Sequence, residues 1–121
     1  MYSMVVRLGL ILLLLTTPAF ALGQKVMLDQ PGTPVISNTT MTSADTEYSY
    51  ALPALTKKFT VQCRSQNDVK LSFTSGASGT TYITVKANTF YWEDNIDGTA
   101  RTLYFQCPQA AKVLEVVSWD E

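Results

Sequence analysis

The sequence predicts an all-β chain: a small antiparallel β-sandwich, jelly-roll or Ig-like, of seven to eight short strands behind an N-terminal signal helix. Three observations lead there. Apolar and polar residues alternate over short runs from Glu47 onward. Gly, Pro, Asn and Ser clusters punctuate those runs. Outside the N-terminal segment, apolar residues nowhere recur at the spacing of a helix face.

The N-terminal segment has the layout of a secretory signal peptide. Arg7 precedes an apolar run from Leu8 to Leu15, then come Thr16, Thr17 and the helix-breaking Pro18, and Ala19-Phe20-Ala21 forms an Ala-x-Ala cleavage signal. The apolar core of roughly 8 residues is short against the roughly 20 that a span requires. The expected division is therefore 1–21 signal peptide, 22–45 extended lead-in and 46–121 β-sandwich domain. The mature protein would be secreted or periplasmic, with no stable membrane anchor after cleavage; an uncleaved anchor is the rival reading.

Each strand has its own signature. The lead-in is rich in Thr, Ser, Pro and Gly, with Val35-Ile36 as a short edge strand and Asn38-Thr39-Thr40 as a glycosylation triplet that matters only in a eukaryotic host. Tyr48, Tyr50 and Leu52 alternate with Ser49 and Ala51 before Pro53. Phe59, Val61 and Cys63 form a half-buried strand, "SQND" turns the chain, and Val69, Leu71 and Phe73 read as its hairpin partner. "SGASG" at Ser75 to Gly79 reads as a flexible loop, after which Ile83 and Val85 resume the alternation. Leu103, Phe105 and Cys107 share one face of a strand that Pro108 closes. In the last run, Lys112 to Trp119, Leu114 and Val116 compete with Val113 and Val117 for the inward face.

Composition narrows the function classes. With 9 basic against 10 acidic residues, and Arg7 leaving with the signal, the mature chain is close to neutral at about −2. Without a basic patch, nucleic acid is not an expected partner. The chain has no histidine, which removes the usual general base and the commonest metal ligand. Neither a CxxC pair nor a Gly-rich phosphate loop is present. The expectation is a non-enzyme without a cofactor. Cys63 and Cys107 are an even count in an exported chain and fall in step with apolar strand faces, so they are expected to form a disulfide. Closing a loop of about 44 residues would stabilise by about 4 kcal/mol on the chain-entropy model. Two buried free thiols are the rival reading.

The densest stretch is "FYWEDNIDGTAR", Phe90 to Arg101. An EF-hand is excluded, because its twelfth position would be Tyr104 and its flanks are strands. Glu93, Asp94 and Asp97 remain as a looser calcium set. The main expectation is structural: Asp97-Gly98 makes a hairpin bend, and Phe90 and Trp92 face the core. Alternation would then turn Tyr91, with Tyr82 and Tyr104, outward as a tyrosine row suited to a protein or glycan surface. Tyr82, Tyr91, Trp92 and Tyr104 are the candidate ligand contacts. Oligomeric state cannot be read from the sequence.

From Glu47 to Trp119, phrases such as "YALPALTKKF" and "YITVKANTFYWED" resemble a loose group of small β-sandwich proteins encoded by tailed bacteriophages and prophages. The resemblance covers the whole expected domain and implies a virion-associated structural or accessory role. Its phrases are strand and turn text without chemistry, so it transfers no site residue. The export signal and the two cysteines depart from that pattern, since phage particles assemble in the cytosol. The expected function is thus a secreted, non-catalytic structural or adhesion module, with a carbohydrate-binding module or a virion-associated protein as alternatives.

Overall fold

The computed structural model describes residues 32–97 and 100–120. The expected signal peptide, residues 22–31 of the lead-in and Gly98 lie outside those residues. Eight strands follow in order: β1 (Pro34–Met41), β2 (Tyr48–Ala51), β3 (Thr56–Cys63), β4 (Val69–Ser72), β5 (Ile83–Val85), β6 (Phe90–Glu93), β7 (Thr102–Gln106) and β8 (Lys112–Asp120). They build two four-stranded antiparallel sheets, in the orders β1-β8-β3-β6 and β2-β7-β4-β5. That interleaving, in which every connection but β4–β5 crosses between sheets, is the order of an eight-stranded jelly roll. Of the two expected sandwich types, the jelly roll is the one formed.

Two expectations about pairing are corrected. β3 and β4 do not make a hairpin: β3 lies between β8 and β6 in the first sheet, and β4 between β7 and β5 in the second. Alternation determines which side chains share a face and is silent about which strand lies alongside. The short edge strand expected at Val35-Ile36 runs the full length Pro34–Met41, paired with β8 from Pro34↔Trp119 to Met41↔Lys112, so the first sheet begins well before residue 46.

The core lies between the sheets. Phe59 and Val61 of β3, with Leu114 and Val116 of β8, face Val69 and Leu71 of β4 and Leu103 and Phe105 of β7, all at 0–1% exposure. The ambiguous phase of β8 is thereby decided: Leu114, Val116 and Ser118 point inward. Ser118 is an odd choice there. Its hydroxyl is buried without a hydrogen-bond partner among the described residues, the kind of desolvated polar group that costs about 1–3 kcal/mol.

"SGASG" is pinned in place. Glu47, between β1 and β2, accepts hydrogen bonds from the Gly76 N–H (2.7 Å), the Ser78 N–H (3.0 Å) and the Ser78 hydroxyl (2.6 Å). Gly76 sits at φ +77°, where a side chain would be strained. The loop closes over the outer face of the second sheet, where Ser78 is fully buried and the Gln106 amide lies 3.2 Å from its hydroxyl. These bonds, that from the Ser78 hydroxyl first, hold the Glu47 carboxyl below its ordinary value of 4.5.

Two outcomes follow from this packing. Ser118→Ala should raise the urea-unfolding free energy by about 1 kcal/mol, by deleting an unmatched hydroxyl. Glu47→Gln should lower it by about 1 kcal/mol at neutral pH. A carboxyl that titrates low in the folded state contributes its stability fully above its unfolded value and loses it as pH falls through the folded one. The deficit of Glu47→Gln should therefore close as the solution is acidified below 4.5, in urea titrations run across that range.

Candidate binding surfaces

The register of β6 against β3 decides what "FYWEDNIDGTAR" presents. Tyr91 pairs with Val61 and Glu93 with Phe59, whereas Phe90 pairs with Gln62 and Trp92 with Thr60. Since Phe59 and Val61 face the core, Tyr91 and Glu93 do too. The expected phase is therefore inverted: Phe90 and Trp92 stand outward, 60% and 52% exposed, and Tyr91 is half-buried. Its ring lies 6.1 Å from those of Phe59 and Phe73. β6 is an edge strand, so an inward tyrosine there keeps a polar outlet at the rim. The Tyr91 hydroxyl donates to Glu93 Oε1 at 2.5 Å, and Arg101 Nη1 donates to Glu93 Oε2 at 2.6 Å. Burial, then the Glu93 contact, push the Tyr91 phenol up to about 12.

The segment after β6 crosses between sheets, which corrects the hairpin expected at Asp97-Gly98. Gly98 itself is outside the described residues. Asn95 takes the left-handed conformation at φ 54°, and Ile96 is the anchor, 5% exposed with its N–H donating to the Lys57 carbonyl at 3.0 Å. A single aliphatic residue among acidic and amide neighbours was the available signal for that anchor.

The calcium set does not converge. Both oxygens of Glu93 are engaged by Tyr91 and Arg101, while Asp94 is exposed and accepts from the Asn95 amide at 3.4 Å. Among the described residues no three His, Cys, Asp or Glu side chains are grouped as metal ligands. The tyrosine row is dispersed as well. Tyr104 is half-buried on the outer face of the second sheet, across from Ser49 and Ser72. Tyr82, 41% exposed, carries the Lys70 ammonium 4.9 Å from its ring centroid. Trp92 belongs to the other sheet, and Tyr91 faces inward.

What the structure assembles instead is a mainly apolar row on the outer face of the first sheet. Ile36, Val117, Thr60 and Trp92 lie in one row across its four strands, and Asn38, Glu115, Gln62 and Phe90 form the next. Ile36 is 68% exposed. Glu115 on this face accepts from Gln62 Nε2 at 2.8 Å and from Arg64 Nε at 2.6 Å, and Lys58 sits 5.2 Å from the Trp119 ring centroid. Those contacts, the Gln62 amide first, lower the Glu115 pKa. A second feature is a shallow groove of about 420 Å³ lined by Phe73, Ala100, Arg101, Thr102 and Tyr104.

The expected disulfide is absent, and Cys63 and Cys107 are free thiols. They end strands in different sheets: Cys63 closes β3 and is half-buried, while Cys107 follows β7 and is fully buried. The Cys107 thiol donates to the Asp68 carbonyl at 3.5 Å, and burial pushes its pKa up. An inward phase brings the two cysteines near each other without joining them: after burial, Cys63 adds to the upward push on Cys107, whose thiol is bonded to the Asp68 carbonyl.

No family model matches the chain, and no curated protein matches it. A solved structure that does match is a de novo designed double-stranded β-helix determined by solution NMR, 9% identical with a TM-score of 0.46, covering 72% of this chain and 97% of its own.

The inverted phase of β6 is directly checkable. Trp92→Thr should leave the urea-unfolding free energy within about 0.5 kcal/mol of wild type, as expected at an exposed site. Tyr91→Ala should cost about 3 kcal/mol by opening a cavity against Phe59 and Phe73. For the thiols, iodoacetamide should alkylate native Cys63 well before Cys107, as read by peptide mass spectrometry.

Proposed function

We propose that this is an exported, non-catalytic structural or adhesion module that assembles with copies of itself through the outer face of the β1-β8-β3-β6 sheet. The observation that carries the reading is the row Ile36–Val117–Thr60–Trp92, with exposures of 68% at Ile36 and 52% at Trp92 on ordered, paired strands. Large apolar side chains held exposed in one row on ordered strands mark an interaction surface. The row has a bulky aromatic at one edge and an aliphatic side chain at the other. A two-fold axis along the strands would set Trp92 of one copy against Ile36 of the next, the self-complementarity that isologous dimers require. Because Arg64 and Gln62 satisfy Glu115, two such faces meet without stranding that carboxylate, and Lys58 lies over the Trp119 ring.

The size of the face sets the strength of the contact. Four strands about 4.8 Å apart and some 25 Å long give a footprint of about 500 Å² per copy, close to the lower bound of about 1,000 Å² total for a specific interface. The dimer is accordingly weak and concentration-dependent. The signal-peptide layout supports export, and the missing histidine with the dispersed acids supports a non-catalytic role. A virion-associated role, which the phage-protein resemblance implies, draws on the jelly-roll order that viral coat and lectin domains share. Fold alone does not choose between such roles. Terminase, portal or tail genes beside this one would favour it.

Sedimentation velocity over a dilution series tests the proposal. The mature protein should pass from monomer to dimer with rising concentration, and the Ile36→Ser/Trp92→Ser variant should stay monomeric with an unchanged circular dichroism spectrum. A wild-type protein monomeric throughout would overturn it. Mass spectrometry of the exported chain should find Leu22 at its N-terminus.

A further inference from the structure

The groove beside β7 has a chemistry that self-assembly does not use. Its Thr102 and Tyr104 belong to the second sheet, so it is separate from the outer face of the first. Its charged member, Arg101, is held in place: Nη1 donates to Glu93 Oε2 at 2.6 Å, and Glu93 is itself fixed by the Tyr91 hydroxyl. The Arg101 side chain remains 37% exposed, and a guanidinium carries five N–H donors in a rigid fork. Phe73, 42% exposed, rests its ring on Tyr91 at a tilt of 51°. One inward tyrosine thus supports both the cation and the aromatic wall of the groove.

We propose that this groove binds a neutral saccharide. One sugar ring lies against Phe73 and Tyr104, and its hydroxyls bond to Arg101 and Thr102. The lining favours a neutral ligand. An anion gains little from a guanidinium already paired with Glu93, and because both Glu93 oxygens are engaged no unmatched carboxylate is left to attract a cation. A wholly apolar molecule would strand the polar groups of Arg101, Thr102 and Tyr104 without partners. A sugar presents apolar C–H faces to aromatic rings and hydroxyls that both donate and accept, and a cavity of about 420 Å³ falls in the range of small-molecule sites. Because the Glu93–Arg101 pair is formed beforehand, little ordering is left to binding.

The test is a ¹H–¹⁵N NMR titration of the full mature chain with glucose, galactose, mannose, N-acetylglucosamine, their β-linked oligomers and glucuronic acid. At least one neutral sugar should give saturable shifts confined to Phe73 and residues 100–104. Arg101→Lys, which keeps the charge but loses the fork, should weaken that sugar roughly tenfold with an unchanged melting temperature. Phe73→Leu should weaken it comparably, and Ile36→Ser/Trp92→Ser should leave it unaltered, which separates this site from the assembly face. No saturable shift with any neutral sugar, a preference for glucuronic acid, or shifts centred on Phe90 and Trp92 would each overturn the assignment.

Discussion

The inward packing of Phe59 and Val61 on β3 constrains everything around it. Both residues are fully buried against the second sheet, and β3 is bonded on either side by β8 and β6. A strand has two faces, so fixing the phase of β3 fixes that of its partners. Through Val61↔Val116, β8 must turn Leu114 and Ser118 inward, the latter at the expense of an unmatched hydroxyl. Through Val61↔Tyr91, β6 must turn Phe90 and Trp92 to the outside. The exposed aromatic face is therefore the geometric counterpart of the core.

Much of the strand content was legible because alternation is a local property. Leu103 and Phe105, Val69 and Leu71, and Phe59 and Val61 all occupy the faces their spacing indicates. β6 was misread because "FYWE" places large aromatic residues on both faces, and hydrophobicity ranks Phe90 and Trp92 above Tyr91. What reverses the order is the pairing with Val61 of β3, far back along the chain, while nearby polar partners give the inward phenol its outlet: Glu93 takes the hydroxyl, and Arg101 takes Glu93. Strand partners were illegible for a similar reason. A jelly roll joins β1 to β8 and β2 to β7, and no short-range pattern records such pairings. The groove residue Phe73 was read as the end of a strand and Arg101 was given no role, because neither shows its neighbours until the sheets are stacked.

Two carboxylates do comparable work at different places. Glu47 ties the loop after β4 to the outer face of the second sheet. Glu93 ties the β6–β7 crossover to the edge of the first. Each satisfies donors that a crossing chain would otherwise leave open, which is how a small sandwich holds long connections without helices. Of the acids that look like a metal site in the sequence, Glu93 is consumed in this way.

The strand order also governs how the chain can be made. Apart from β4 and β5, neighbours in either sheet are distant in sequence, and the pairing of β1 waits for Lys112 to Trp119. Loop-closure entropy must be met before such contacts return any stabilisation, so this topology belongs to the slow end of small-domain folding. Neither sheet can be completed while the C-terminal strands are still being synthesised. If the chain is exported as proposed, that delay would keep the leading segment unfolded during passage and defer the closure of the sandwich to the far side.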